Sequence, residues 1–173
     1  PTIVPAPHVV ATNMQSMNLM AHAAITLVNI GAFDRAEVAG EPIRYYLCDG
    51  PHVARLTDAL DGERRRVAMA HGLDVRPFHE ILNALYGARG TSVSQSLATS
   101  RWLRDLEPLP TSIWRYWLEA DATLLYRPFV DLAANAGVDA PLFNGLLDLA
   151  GAILGRDLRA EGHGLDRLGI AET

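Results

Sequence analysis

The sequence predicts an all-α fold: a single helical domain of six to seven helices, with almost no sheet. Three observations carry this reading. Apolar residues recur at helical spacing through most of the chain. Glycine and proline stand where such stretches would end and begin. Only residues 1–12, with Pro1, Pro5, Pro7, Ile3, Val4, Val9 and Val10, read as an extended lead-in or an edge strand.

Taken in order, a helical pattern occupies residues 13–30 and ends at Gly31. Residues 34–49 form a connection with a short apolar run at 43–47. Asp49-Gly50-Pro51 is a helix start with proline in the first turn, and Val53, Leu56, Leu60, Val67 and Ala70 give its stripe up to Gly72. Further helices are expected over 77–86, stopping at Gly87; from the cap Thr91 to 103; over 111–122; and over 128–135, before Gly137. Asp139-Ala-Pro141 opens a long apolar helix that ends at Gly155, and residues 157–169 have room for one short helix. No internal repeat, low-complexity stretch or domain boundary interrupts the 173 residues, and 49% hydrophobic content supports one core.

Composition removes several functions. The net charge is -5, so nucleic acid is not an expected partner. The cluster Arg64, Arg65 and Arg66 reads as an exposed helix face beside Asp61 and Glu63. All fifteen basic residues are arginine, which excludes a lysine Schiff base and the lysine of a phosphate-binding P-loop in this chain. No Gly-x-Gly-x-x-Gly follows a strand. The six histidines are scattered, so no metal site is expected. The lone Cys48 forms no internal disulfide and suits a reducing, cytoplasmic setting. No signal peptide opens the chain. The apolar stretch 17–33 is interrupted by Asn18, His22 and Asn29 and reads as a buried helix rather than a membrane span.

Two stretches carry candidate chemistry. Asn18, His22, Thr26 and Asn29 are spaced by four, four and three residues, which places them on one face of an otherwise apolar helix. Such a stripe either bonds neighbouring helices or lines a pocket with a catalytic imidazole. The second stretch, Trp114-Arg115-Tyr116-Trp117-Leu118-Glu119-Ala120-Asp121, is either an amphipathic helix with an Arg115–Glu119 pair or a source of a carboxylate-binding arginine and a histidine-orienting acid.

The order of these pieces resembles the octopine and nopaline dehydrogenase family. Asn18-Leu-Met-Ala-His22-Ala-Ala-Ile-Thr26-Leu-Val-Asn29 is similar to its Asn-Pro-x-x-His-Pro-x-x-Thr-Leu-Leu-Asn signature. Asp49-Gly50 and Leu56-Thr-Asp-Ala-Leu-Asp61-Gly-Glu63-Arg64 are similar to its Glu-Gly and Leu-x-x-Ala-Leu-Asp-x-Glu-Arg. Tyr86-Gly87, Arg115-Tyr116-x-x-Glu119, Gly137-Val138-x-x-Pro141 and Glu161-Gly162-x-x-Leu165-x-x-Leu168-Gly169 follow in the family's order.

The resemblance implies the C-terminal domain of an opine dehydrogenase, similar to the C-terminal domain of 6-phosphogluconate dehydrogenase, without the N-terminal Rossmann domain. It implies reductive coupling of an α-keto acid with an amine. His22 would be the proton donor and acceptor, Asp121 its orienting acid and Arg115 the carboxylate ligand. Asn18, Thr26, Asn29, Tyr116, Trp117 and Glu119 would bind substrate. The chain alone would bind no cofactor; NAD(P)H would be held by a Rossmann domain, present as a separate chain or lost with the fragment. The partners expected are a small-molecule substrate and either that nucleotide-binding chain or a second copy in a homodimer. The alternatives are a cofactor-independent acid–base enzyme and a non-catalytic binding module. The sequence departs from the family at the two signature prolines, replaced by Leu19 and Ala23, and at Ala120, which stands where the family has Asp. Asp121 is therefore in register counted back from Gly137 and one residue late counted from Arg115. One residue turns a helical side chain by about 100°.

Overall fold

The computed structural model describes residues 5–6 and 9–170. It is all-α, and its helices follow one another without a second layer of sheet. α1 (Val9–Met14) and α2 (Met17–Ala39) open the described chain. A 3-10 turn (Tyr45–Cys48) leads to α3 (Pro51–Ala70), α4 (Phe78–Tyr86), α5 (Val93–Thr99) and α6 (Arg101–Arg104). α7 (Ile113–Asp121) passes through a π-turn (Ala122–Tyr126) into α8 (Arg127–Asn135), and α9 (Pro141–Leu154) and α10 (Leu158–Glu161) close the fold. The only sheet-like pairing among the described residues is a single antiparallel bridge between Ile43 and Leu109.

α2 is the axis of the domain. It packs on α3, α7, α9 and the 3-10 turn. Its apolar residues run almost all round it, as a helix enclosed by others requires. Leu19, Met20, Ala23, Ala24, Ile25 and Phe33 are buried. The helix does not stop at Gly31; it continues to Ala39 and is closed by Gly40 in the left-handed conformation (φ 69°). A mid-helix glycine costs only about 1 kcal/mol, which the packing of Phe33 beyond it offsets. The sequence-based end at Gly31, and the connection drawn from residue 34, are corrected accordingly.

Other boundaries also shift. Of the lead-in expected at 1–12, residues 1–4, 7 and 8 lie outside the described residues, and residues 9–12 are helical. α5 is capped by Ser92, whose Oγ accepts from Gln95 N, rather than by Thr91. Gln95 Oε1 accepts instead from Thr91 N at 3.0 Å. The helix expected up to residue 103 breaks at Ser100, which caps α6 through Leu103 N.

The two helices expected at 111–122 and 128–135 are one rod. Pro128 lies inside it and has no N–H to give. Upstream the turn widens, so that Arg127 N bonds Ala122 O. Thr123 O, next in that pattern, would meet the proline nitrogen; it accepts from His163 N in the C-terminal segment at 2.9 Å. That segment lies close to the rod. A Cβ on Gly162 would sit 2.6 Å from Leu158 O and 2.7 Å from Arg127 Cγ.

The Arg64–Arg66 cluster also differs from expectation. Arg65 and Arg66 are exposed, but Arg64, Asp61 and Glu63 are buried. Arg64 donates to Asp61 and to the carbonyls of Met14 and Arg76. Asp61 Oδ2 accepts from Phe78 N at the start of α4. Glu63 accepts from Leu142 N and Phe143 N in the first turn of α9. Each carboxylate satisfies backbone donors that a helix cannot satisfy itself.

Candidate active site

α2 and α7 meet so that His22 faces Asp121. His22 Nδ1 lies 2.8 Å from Asp121 Oδ2, and the residues are 4% and 5% exposed. The one-residue offset at Ala120 thus leaves Asp121 on the side of α7 that faces α2, with the π-turn beginning at the next residue. An ionised carboxylate only accepts, so Nδ1 carries the hydrogen and Nε2 faces the other way. Nε2 lies 3.3 Å from Tyr46 OH. Trp117, one helical turn before Asp121, stacks on the imidazole at 4.4 Å and 11°. Tyr45 meets the ring edge-on at 5.6 Å.

The two tyrosines come from the 3-10 turn after α2. Tyr45 OH is 2.5 Å from Thr26 Oγ1 and also bonds the His22 carbonyl. Its pKa is raised well above the usual phenol value by burial, against the Thr26 hydrogen bond. Tyr46 is pushed up to about 12 by burial and then by the charges of Tyr86 and Asp121. Its hydroxyl therefore stays protonated at neutral pH and can donate to Nε2.

Tyr46 also borders a narrow cleft between α2, α3, α4, α5 and α6. Asn18, Asp49, Met17, Ile25 and Phe78 are among its other walls. Asp49 is pushed up to about 7, by burial first and then by Asp58. Its Oδ1 is buried with no hydrogen-bond partner.

The structure thus brings together His22, Asp121, Trp117 and Thr26, with Asn18 in the adjoining cleft. Asn29 serves the backbone, donating to Ile25 O and Cys48 O. Arg115, Tyr116 and Glu119 lie elsewhere. Arg115 bonds Glu37 at 2.7 Å. Glu37 is fifteen residues beyond His22 on α2, on the order of 20 Å of helical rise. Arg115 is therefore not placed to hold a carboxylate beside His22 in this arrangement. Tyr116 is 67% exposed, and Glu119 pairs with Arg156. The Arg115–Glu119 pair of the amphipathic reading is replaced by these two longer-range pairs. Sequence reasoning missed Tyr45, Tyr46 and Asp49. In the sequence the tyrosines lie within the short apolar run 43–47 and Asp49 within a helix start; the only signal they give is two adjacent phenols in a connection.

No group of three or more metal-ligating side chains occurs among the described residues. No described helix is long and apolar enough to cross a membrane. The cleft does not fit a dinucleotide. Its walls present no basic side chain among the described residues, and its one carboxyl would repel a pyrophosphate when ionised. Arg115, Arg156 and Arg159 are already paired with carboxylates.

Residues 5–154 match the family model described as NAD/NADP octopine/nopaline dehydrogenase, alpha-helical domain. The chain is similar to an opine dehydrogenase of Arthrobacter sp. (strain 1C), 30% identical over 173 residues, covering 99% of this chain and 46% of that protein. It is also similar to the protein ocs of Agrobacterium tumefaciens (strain Ach5), 26% identical over 154 residues, covering 88% of this chain and 42% of that one. The chain spans less than half the length of these curated relatives.

Proposed function

The chain belongs to the octopine/nopaline dehydrogenase family, over its alpha-helical domain, and from that premise we propose that it is the substrate-binding and proton-transferring domain of an opine dehydrogenase. Its substrates are an α-keto acid and an amine, joined through an imine. The observation that carries this reading is the buried His22–Asp121 pair at 2.8 Å, with Nε2 against the hydroxyl of Tyr46, a residue that borders the cleft. A nicotinamide nucleotide, held by a different domain, supplies the hydride.

The chain's own residues handle the proton. Asp121 fixes the tautomer and steadies the imidazolium that forms when Nε2 takes up a proton. Trp117 and Tyr45 hold the ring plane. With His22 only 4% exposed, proton exchange with a ligand in the cleft passes by way of the Tyr46 hydroxyl or needs that hydroxyl to swing aside. Asn18 supplies an amide at the cleft wall.

The test is reductive coupling by the helical domain joined to its nucleotide-binding domain. His22→Ala is expected to lower the rate by roughly 10²- to 10⁴-fold, with nucleotide affinity unchanged. Asp121→Asn is expected to lower it in the same direction by less. Full turnover in His22→Ala would defeat the reading, as would equal turnover without any nicotinamide.

A further inference from the structure

Asp49 is the only carboxyl among the described residues that line the cleft. It stands directly after the turn that carries Tyr46, and Tyr46 touches His22. One of its oxygens is buried without a donor, and no arginine or histidine among the described residues forms a salt bridge with it. A carboxylate so placed is costly unless something brings it a hydrogen and a charge. The walls around it offer no charge, and none of their donors reaches Oδ1: Met17, Ile25, Phe78 and Leu82 are apolar, and Asn18, Thr57, Tyr46 and Tyr86 form no hydrogen bond with it.

We propose that Asp49 anchors the cationic nitrogen of an amine-bearing substrate in the cleft beside His22. The assignment rests on the functional reading above and names the group that selects its amine partner. An ammonium supplies the donor that Oδ1 lacks, and its charge offsets the desolvation of the carboxylate. The apolar walls suit an amine with an aliphatic or aromatic side chain, and they disfavour a second carboxylate at that end. Burial together with Asp58 keeps the empty site close to half-protonated near neutral pH, Asp49 being pushed up to about 7. Tyr46, also at the cleft, stays neutral because burial pushes its hydroxyl up to about 12, and it does not compete for the cation.

The probe is n-butylamine, with n-butanol as its uncharged counterpart, added to the chain with its aspartate side chains carbon-13 labelled. Saturating butylamine is expected to lower the Asp49 titration midpoint by about one pH unit or more, and butanol to leave it in place. Asp49→Asn is expected to weaken butylamine binding about tenfold or more while circular dichroism keeps its helical form. Equal affinities for amine and alcohol overturn the proposal, and so does unchanged butylamine affinity in the variant. Should the variant fail to fold, the wild-type titration decides: a midpoint unmoved by saturating butylamine is also a refutation. Amine binding through Asp49 alongside full coupling in His22→Ala would defeat the functional reading and leave this assignment standing.

Discussion

The His22 imidazole is constrained on four sides, and each neighbour governs a different property. Asp121 sets the tautomer, Tyr46 occupies Nε2, Trp117 covers one face and Tyr45 blocks an edge. Asp49, in the wall of the cleft, carries a measurable cost. Its midpoint of about 7 lies above the ordinary carboxyl value, so the folded protein keeps a proton that the unfolded chain has lost. Nothing is lost below the unfolded midpoint near 4; stability falls as pH rises toward about 7 and stays lower above it. Asp49→Asn is therefore expected to stabilise the fold at pH 8, relative to its effect at pH 4, by about 1–3 kcal/mol. Urea denaturation at the two pH values measures this, and an equal effect at both would contradict it.

At the scale of elements, the rod of α7 and α8 shows how one proline can shape a site and a terminus together. Pro128 removes a donor, the turn before it widens, and Thr123 O is left to the C-terminal segment. Wide turns of this kind tend to occur at functional positions, and this one starts beside Asp121. The closeness of Gly162 to Arg127 is what lets His163 reach that carbonyl. Gly162→Ala is expected to cost about 1–3 kcal/mol and to speed hydrogen exchange at the His163 amide. If exchange there stays as slow as in the unchanged protein, the segment is held by something other than this contact.

Across the whole molecule, α3 acts as a staple. Arg64 takes the carbonyls of Met14 and Arg76, Asp61 starts α4 and Glu63 starts α9. α9 has Ala140 at its N-cap position, which offers no side-chain oxygen of its own. Glu63 supplies that oxygen from 79 and 80 residues away. Glu63→Ala is expected to cost roughly 2–4 kcal/mol, since it leaves buried amides without acceptors, and Glu63→Gln less. The denaturant midpoint reads both, and a loss no larger than that of an exposed Arg65→Ala would show that the cap does not bear on stability.

What the sequence by itself determined about this protein is local. Helical period, together with Pro51, Gly87, Pro141 and Gly155, marked the class and several of the ends, because those signals act within a turn or two of the chain. The stripe of Asn18, His22, Thr26 and Asn29 was legible for the same reason. It could not show that Asn29 would turn to Cys48 O while His22 turned to a carboxylate. Nor could it separate Arg64, wholly buried, from Arg65 beside it, because both sit on one helix and only the neighbours differ. The family resemblance implied the pairing of His22 with Asp121, but its contact across two helices, the removal of Arg115 to Glu37 and the enclosure of Asp49 were decided by the tertiary structure. Each depends on how two helices cross, and packing of the whole core sets that crossing.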